Sequence, residues 1–264
     1  MLVIVDHAQR WRKRRTNYMP VGEPIDTRAF EVAAIADRTA KAFVHEHHYS
    51  GSYPAARERM GLYRGPELVG VAVFSIPAQP RTLDVLPGGR DSSVELGRLV
   101  LLDDVPANGE SWFIARCFDL LRRDGYTGVV SFSDPVPRRA DDGAVIFPGH
   151  IGTIYQASNA VYLGRSKPET RRLLPDGTLL HGRAVAKIRK RDRGHRYAES
   201  LLEQHGAPPL HPGEDPDEWV ERWLLGLTRP LRHAGNHKYA WDLERRGRRT
   251  RLPESKPYPK IVIG

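Results

Sequence analysis

The stretch that most constrains the fold runs from residue 129 to 164: VVSFSDP, a short insert, then GHIGTIYQASNAVYLG. The apolar run at 129–132 is long enough for one buried strand, and Pro135 ends it. Proline has no N–H for a sheet ladder, and it disfavours the helical region for the residue before it. Ser133 and Asp134 are thereby delivered to a strand end, where open α/β sheets place their chemistry. Gly152, Thr153, Gln156, Ser158 and Asn159 then crowd polar groups onto a short helical segment. Ile154, Tyr155, Val161 and Tyr162 are interleaved with them, which a solvated loop would not need.

Around this stretch the chain alternates. Residues 28–48 read as a helix capped by Asp26 or Thr27, with Phe30, Ala33, Ala34, Ala40, Phe43 and Val44 on its apolar face. Residues 60–63 and 68–76 read as a hairpin turning at Gly65-Pro66, and residues 77–93 as a loop. A strand at 94–102, a helix at 109–124 ended by Gly125 and the strand at 129–132 follow. Beyond residue 164 a strand is expected at 177–189, a helix at 214–227 and a strand at 235–241. The alternation gives the fold class as mixed α/β and by itself excludes no other α/β fold. With 264 residues, 40% of them hydrophobic, the chain is expected to form one domain. Residues 165–264 would complete it as a basic C-terminal extension.

Cys117, the only cysteine, excludes an internal disulfide and a zinc site built on several thiolates; its place on an apolar helix side points to packing. No apolar run approaches the ~20 residues that span a bilayer, and no signal-peptide pattern opens the sequence. The expectation is a cytoplasmic protein with no membrane partner.

Charge is unevenly distributed. Residues 1–164 hold 19 Lys and Arg against 19 Asp and Glu, so the whole net charge of +9 comes from the last hundred residues. It concentrates in KIRKRDR (187–193) and RRGRRTR (245–251). Lysine and arginine displace counterions from phosphates, so Lys187, Arg189, Lys190, Arg191, Arg248 and Arg249 are candidate contacts to nucleic acid. Arginine serving solubility is the plainer alternative.

Two further motifs carry chemistry. In VELGRLVLLDD (94–104) and PANGESWFIARC (106–117), a helix entered from a strand offers unpaired N–H groups and a favourable dipole to an anion. Asn108, Gly109 and Ser111 would form that entry, with Arg98 a partner for phosphate; a capped core helix and an internal ion pair fit the same residues. In HEHHYSG (45–51), His45 and His48 lie three apart, a spacing that puts them on one helical face. That suits a metal, and it equally suits cationic histidines at a helix C-terminus.

VVSFSDP, GHIGTIYQASNAVYLG and the His-Tyr-Ser segment resemble the Mom family of phage DNA-modification proteins. So do the His237-Lys238-Tyr239 and Pro257-Tyr258-Pro259-Lys260 pieces. The family is similar to a branch of the GNAT acyltransferase fold, which implies a GNAT-like central mixed sheet flanked by helices, with a helical insertion near 192–230 where the resemblance is interrupted. The resemblance implies a transferase that converts adenine N6 in double-stranded DNA to a carbamoylmethyl derivative, protecting phage DNA from host restriction. His48, Tyr49, Asp134 and Tyr155 match its functionally important positions, and Arg98 and Ser111 those implicated in acetyl-CoA use. It also implies a small-molecule acyl donor and raises iron as a cofactor, with His48 and Asp134 conceivable ligands. Two other functions remain open from the residues themselves: a conventional acetyl-CoA-dependent N-acyltransferase acting on a protein, metabolite or hypermodified base, and a non-catalytic DNA-binding protein.

Overall fold

The computed structural model describes residues 7–13, 15–20, 23–244 and 251–260. In chain order the elements are β1 (His7–Arg12), β2 (Arg15–Pro20), β3 (Phe30–Ala34), α1 (Asp37–His47), β4 (Ala56–Arg64), β5 (Glu67–Ser75), β6 (Ser93–Leu101) and α2 (Gly109–Arg123). Next come β7 (Gly128–Ser133), β8 (Arg138–Arg139), β9 (Val145–Phe147), α3 (Thr153–Ala157), β10 (Val161–Arg165), β11 (Glu169–Leu173) and β12 (Leu179–Leu180). The chain closes with α4 (Gly182–Lys190), α5 (His195–Glu203), α6 (Pro216–Leu227), β13 (Arg229–His233) and β14 (His237–Asp242). Two compact units result: Met1–Asp134, His150–Arg165 and Asn236–Gly264 form the first; Pro135–Gly149 and Ser166–Gly235 form the second.

The first unit is built on a seven-stranded mixed sheet in the order β10-β14-β7-β6-β5-β4-β3. Its parallel pair is β6 and β7, joined through α2; the other neighbours are antiparallel. Both faces are covered, so β5 is apolar on both sides. Ala72 and Phe74 join the layer of Phe113, Ile114, Cys117 and Leu121 from α2, whereas Val71 and Val73 meet Ala40 and Val44 of α1. The 3.6-residue spacing of the α2 set gives that helix one buried stripe. Cys117 lies in it fully buried, its thiol pushed well up by burial, as expected of a packing residue.

Strand β10 is one edge of the sheet, and the C-terminal segment covers it. The Lys256 N–H donates to the Tyr162 carbonyl (2.9 Å), the Tyr162 N–H to Ser255 Oγ (3.1 Å), and the Tyr258 hydroxyl to the Ala160 carbonyl (2.6 Å). Capped in this way, β10 offers less of an open ladder to another chain.

In the second unit β11 pairs with β12 and β13, and β8 pairs with β9. Helices α4, α5 and α6 close a separate apolar core around Ile188, Leu202, Trp219 and Val220. Trp219 satisfies its indole N–H on the Pro208 carbonyl at 3.1 Å. Among the described residues no helix is long and apolar enough to cross a membrane.

Two expected elements differ. Residues 30–34 form a strand on β4 instead of the first turns of a helix, because Phe30 and Val32 pack inward while Glu31 is exposed, a period of two. Asp26 does cap, but it caps a single 3₁₀ turn, its Oδ1 accepting from the Arg28 N–H at 3.1 Å. Most of the strand expected at 177–189 is helix α4. Its inward residues Ala184 and Ile188 are four apart, a spacing that both periods satisfy, and packing against α6 selects the helix.

Tyr162 and His237 form a buried polar pair on β10 and β14, hydroxyl to Nδ1 at 2.7 Å. Burial, with a smaller contribution from Arg165, depresses the imidazole below its ordinary 6.5, so the folded state favours the neutral ring. That stability is fully present above pH 6.5 and lost as pH falls through the depressed folded value. Thermal melts between about pH 5 and 7.5 should therefore fall on the acid side. His237→Gln should flatten that slope; an equally steep acid slope in the variant would assign it to other groups.

Candidate active site

Strands β6 and β7 hold parallel register over three pairs, from Ser93 with Gly128 to Glu95 with Val130. Past that point β6 stays on β5 as far as Leu101, and β7 stays on β14 through Ser133, so the two strands part. The buried Ser131 hydroxyl spans the opening and donates to the Leu96 carbonyl at 2.9 Å. Strand β6 is also bulged at Gly97: Phe74 faces Leu96 and Val73 faces Arg98. A Cβ on Gly97 would lie 2.5 Å from Ser75 Oγ, which explains the glycine. The extra residue resets the alternation, so Glu95 and Arg98 share a face despite their odd spacing.

Three other segments meet them there. Arg98 donates to the Ser52 carbonyl (2.9 Å) and hydroxyl (2.8 Å) on the loop after α1. The same loop carries Tyr49, whose ring lies 4.3 Å from that of His48 and 6.4 Å from that of His150. From α3, Tyr155 packs on Tyr239 at 5.4 Å and edge-on to Trp241 at 5.5 Å. Arg98 is within electrostatic reach of Tyr49, Glu95 and Tyr155, and Tyr155 of Tyr49 and Glu95.

Burial sets the protonation of this cluster. It raises the Glu95 carboxyl above the usual carboxylate value, with Arg98 opposing. It pushes the Tyr155 phenol well above its ordinary value, and Tyr239 up to about 12. The arrangement therefore offers a carboxylate of raised basicity, phenols that stay protonated and can donate, and a fixed guanidinium.

Of the residues singled out in the sequence, Tyr49, Arg98 and Tyr155 converge. Asp134 follows β7 directly, and its carbonyl accepts the His150 N–H at 2.8 Å, so the chain leaves and re-enters the first unit at one point. His48 departs from expectation: it is the C-cap of α1 with extended backbone, so it does not continue the helical face of His45. Its Nδ1 lies 2.9 Å from Ser50 Oγ, while His45 Nδ1 lies 2.9 Å from the Gly51 carbonyl.

Asn108, Gly109 and Ser111 begin α2 as expected, but their side chains work locally. Asn108 Oδ1 accepts the Ile25 N–H at 3.0 Å, the Ser111 hydroxyl donates to the Asn108 carbonyl at 3.0 Å, and Gly109 is buried near Val105. Arg98 precedes the end of β6 by three residues, about 10 Å of extended chain, and groups with Tyr49, Glu95 and Tyr155. Lys187, Arg189, Lys190 and Arg191 lie on α4 and its cap in the second unit. Arg248 and Arg249 lie outside the described residues.

Among the described residues no three His, Cys, Asp or Glu side chains gather as a metal-binding group. His48 and Asp134 alone do not make the donor set an iron centre needs. Glu95, Ser131 and His150 join this candidate site, and sequence reasoning passed over them. The available signal was a charged residue inside an apolar strand, two positions before an isolated glycine.

The family model described as "Mom protein family" matches residues 29–211. The methylcarbamoylase Mom of Escherichia phage Mu is 28% identical over 143 residues, which are 52% of this chain and 55% of that protein. The chain thus spans about half the length of the curated relative it matches. Among solved structures, a putative acetyltransferase from Salmonella typhimurium with acetyl-CoA is 9% identical, covering 83% of this chain and 97% of that one at a TM-score of 0.39. A GNAT family acetyltransferase from Elizabethkingia anophelis with acetyl-CoA bound is 6% identical, covering 81% and 98% at 0.33.

Gly152 tests how tightly Tyr155 is seated. It has φ +74°, and a Cβ there would lie 2.8 Å from ring carbons of both Tyr155 and Tyr239. Gly65 has φ +56° with nothing within 4 Å of a Cβ. In urea unfolding, Gly65→Ala should lose only the backbone contribution, about 1 kcal/mol, and Gly152→Ala about 2–3 kcal/mol. Equal losses would show that the two rings move aside freely.

Proposed function

The chain belongs to the Mom protein family, and from that premise we propose that it is a transferase that modifies adenine in DNA at N6, installing a carbamoylmethyl group. The observation that carries this reading is the meeting of Glu95, Arg98, Tyr49 and Tyr155 where β6 parts from β7. A non-catalytic DNA-binding protein has no use for a half-buried carboxyl and guanidinium within electrostatic reach of two phenols. The relative in phage Mu bears the name of a methylcarbamoylase.

Adenine N6 is a weak nucleophile because its lone pair is delocalised into the ring. Forming a C–N bond there releases one N6 proton, and in this reading Glu95, made more basic by burial, takes it. Asp134 at the end of β7 holds the amino group by hydrogen bond. Tyr49, backed by His48, gives the base a face to stack on. Tyr155, protonated throughout the physiological range, donates to the oxygen on which charge develops. N6 is paired inside a duplex, so the base must leave the stack at a cost of roughly a few kcal/mol. A substituent on N6 changes the major-groove edge that restriction enzymes read, which accounts for protection.

The residues fit acetyl-CoA at one place: the start of α2, where backbone N–H groups around Asn108, Gly109 and Ser111 and the helix dipole favour phosphate. Glu110 in the first turn is an adverse charge. Acetyl-CoA, when bound, supplies a two-carbon unit activated as a thioester. Acetyl transfer alone would leave an amide on N6; the carbamoylmethyl product instead joins the methyl carbon to N6, which exchanges a C–H for a C–N bond and needs a two-electron oxidant, while an ammonia-level nitrogen donor displaces CoA as the free thiol.

Mass spectrometry of nucleosides from plasmid DNA of expressing cells tests the reading. A heavier deoxyadenosine is expected, its mass separating carbamoylmethyl from acetyl. Glu95→Gln should slow its accumulation roughly 10²–10⁴-fold, and Asp134→Ala should also lower it. Unmodified DNA in the presence of folded protein would sink the proposal.

A further inference from the structure

The second unit carries a charge concentration that its own stability does not explain. Residues 182–197, spanning α4, its turn and the first residues of α5, hold seven Lys and Arg against the single acid Asp192. The helix dipole accounts for part of this, since Lys187, Arg189 and Lys190 occupy the last turn of α4, where cations are favoured. It does not account for Arg193 and Arg196. They flank the start of α5, where the dipole disfavours cations, and that first turn contains no acidic residue.

Internal pairing neutralises only some of the cluster. Arg189 meets Asp217 of α6 at 3.2 Å, and Arg196 reaches the buried Glu199, already 2.7 Å from His195, at 3.5 Å. Lys190, Arg191 and Arg193 are exposed. Beside them Tyr197 is 68% exposed, in a helix whose Ala198 and Leu202 are buried in the core. Arg191 is held at φ +53° and Gly194 at φ +90°, so the turn has a defined shape between two helices seated on that core. The start of α6, with Asp215, Asp217 and Glu218, gives the same unit an acidic border.

We propose that the α4–α5 turn is the surface by which this protein grips the backbone of duplex DNA, with Lys190, Arg191 and Arg193 on consecutive phosphates and Tyr197 against the sugar-phosphate edge. This rests on the reading of DNA as the substrate. Backbone contacts of this type position a duplex without reading its sequence. The turn therefore supplies sequence-independent affinity and leaves base recognition to the site in the first unit. The acidic start of α6 limits the patch on one side by repelling phosphate.

The test is fluorescence anisotropy of the full chain on a short duplex of arbitrary sequence, from about 50 to 200 mM salt. The Lys190→Glu, Arg191→Glu, Arg193→Glu triple variant is compared with Arg28→Glu, Arg123→Glu, a pair of exposed basic residues in the first unit. Circular dichroism melts confirm that each variant is folded. The triple variant should bind roughly tenfold or more weakly, with a log–log salt slope shallower by roughly 0.9 for each phosphate lost. Tyr197→Ala should weaken binding without changing the slope, and the control pair should bind as wild type.

If wild type binds duplex and the triple variant binds it with the same affinity and slope, the surface is misassigned while the DNA reading stands. If wild type shows no salt-dependent affinity for duplex, both fail. Selective binding of single strands or RNA through the same residues would also overturn the proposal.

Discussion

The opening between β6 and β7 is the constraint on which the site depends. Two parallel strands that stayed in register would pair their backbones and leave no room between them. Here the register ends after Glu95 and Val130, and the hydroxyl of Ser131 takes the Leu96 carbonyl that a continued ladder would have engaged. One side chain thus satisfies a buried acceptor without closing the gap. The bulge at Gly97 belongs to the same arrangement, because it turns Arg98 onto the face of Glu95 and toward the loop after α1.

Everything that converges on the opening is held by elements with their own reasons to be where they are. Helix α1 is seated by Ala40 and Val44 on β5, and its end fixes His48 and Tyr49. The short α3 has little helical stability of its own. Tyr155 is its anchor, wedged between Tyr239 and Trp241 of β14, and Gly152 leaves the space for those rings. Strand β14 in turn is sandwiched between β7 and β10, whose outer edge is covered by the C-terminal segment. Residues far from the opening in sequence therefore determine its shape, and the candidate groups are held by packed elements of the sheet and its helices.

The burial that assembles the site also tunes it. Glu95 gains basicity because burial strips part of its water, Arg98 limits that gain, and Tyr155 and Tyr239 are kept protonated by their own burial. The polar cluster at positions 182–197 obeys a different rule. It lies on the outside of a small helical core, where charge costs little and long-range attraction to phosphate is available.

The sequence by itself determined much of the scaffold and several residues of the candidate site. The run at 129–132 ending on Pro135, the spacing of Phe113, Ile114, Cys117 and Leu121, and the hairpin around Gly65-Pro66 all encode local structure through steric limits and periodicity. Tyr49, Arg98 and Tyr155 were legible because their motifs resemble a known family. Where the local code is ambiguous, it failed: Ala184 and Ile188 fit helix and strand equally, and β3 took its conformation from pairing with β4. Glu95 is not legible along the chain, because a charged residue in a strand has no meaning until the register of β6 against β5 shows the bulge at Gly97. The exclusion of His48 from the helical face of His45 likewise follows from where α1 ends. Local sterics and periodicity act over a few residues and can be read along the chain. The meeting of β6, β7, α3 and the loop after α1 is made by long-range packing, and only the tertiary structure decides it.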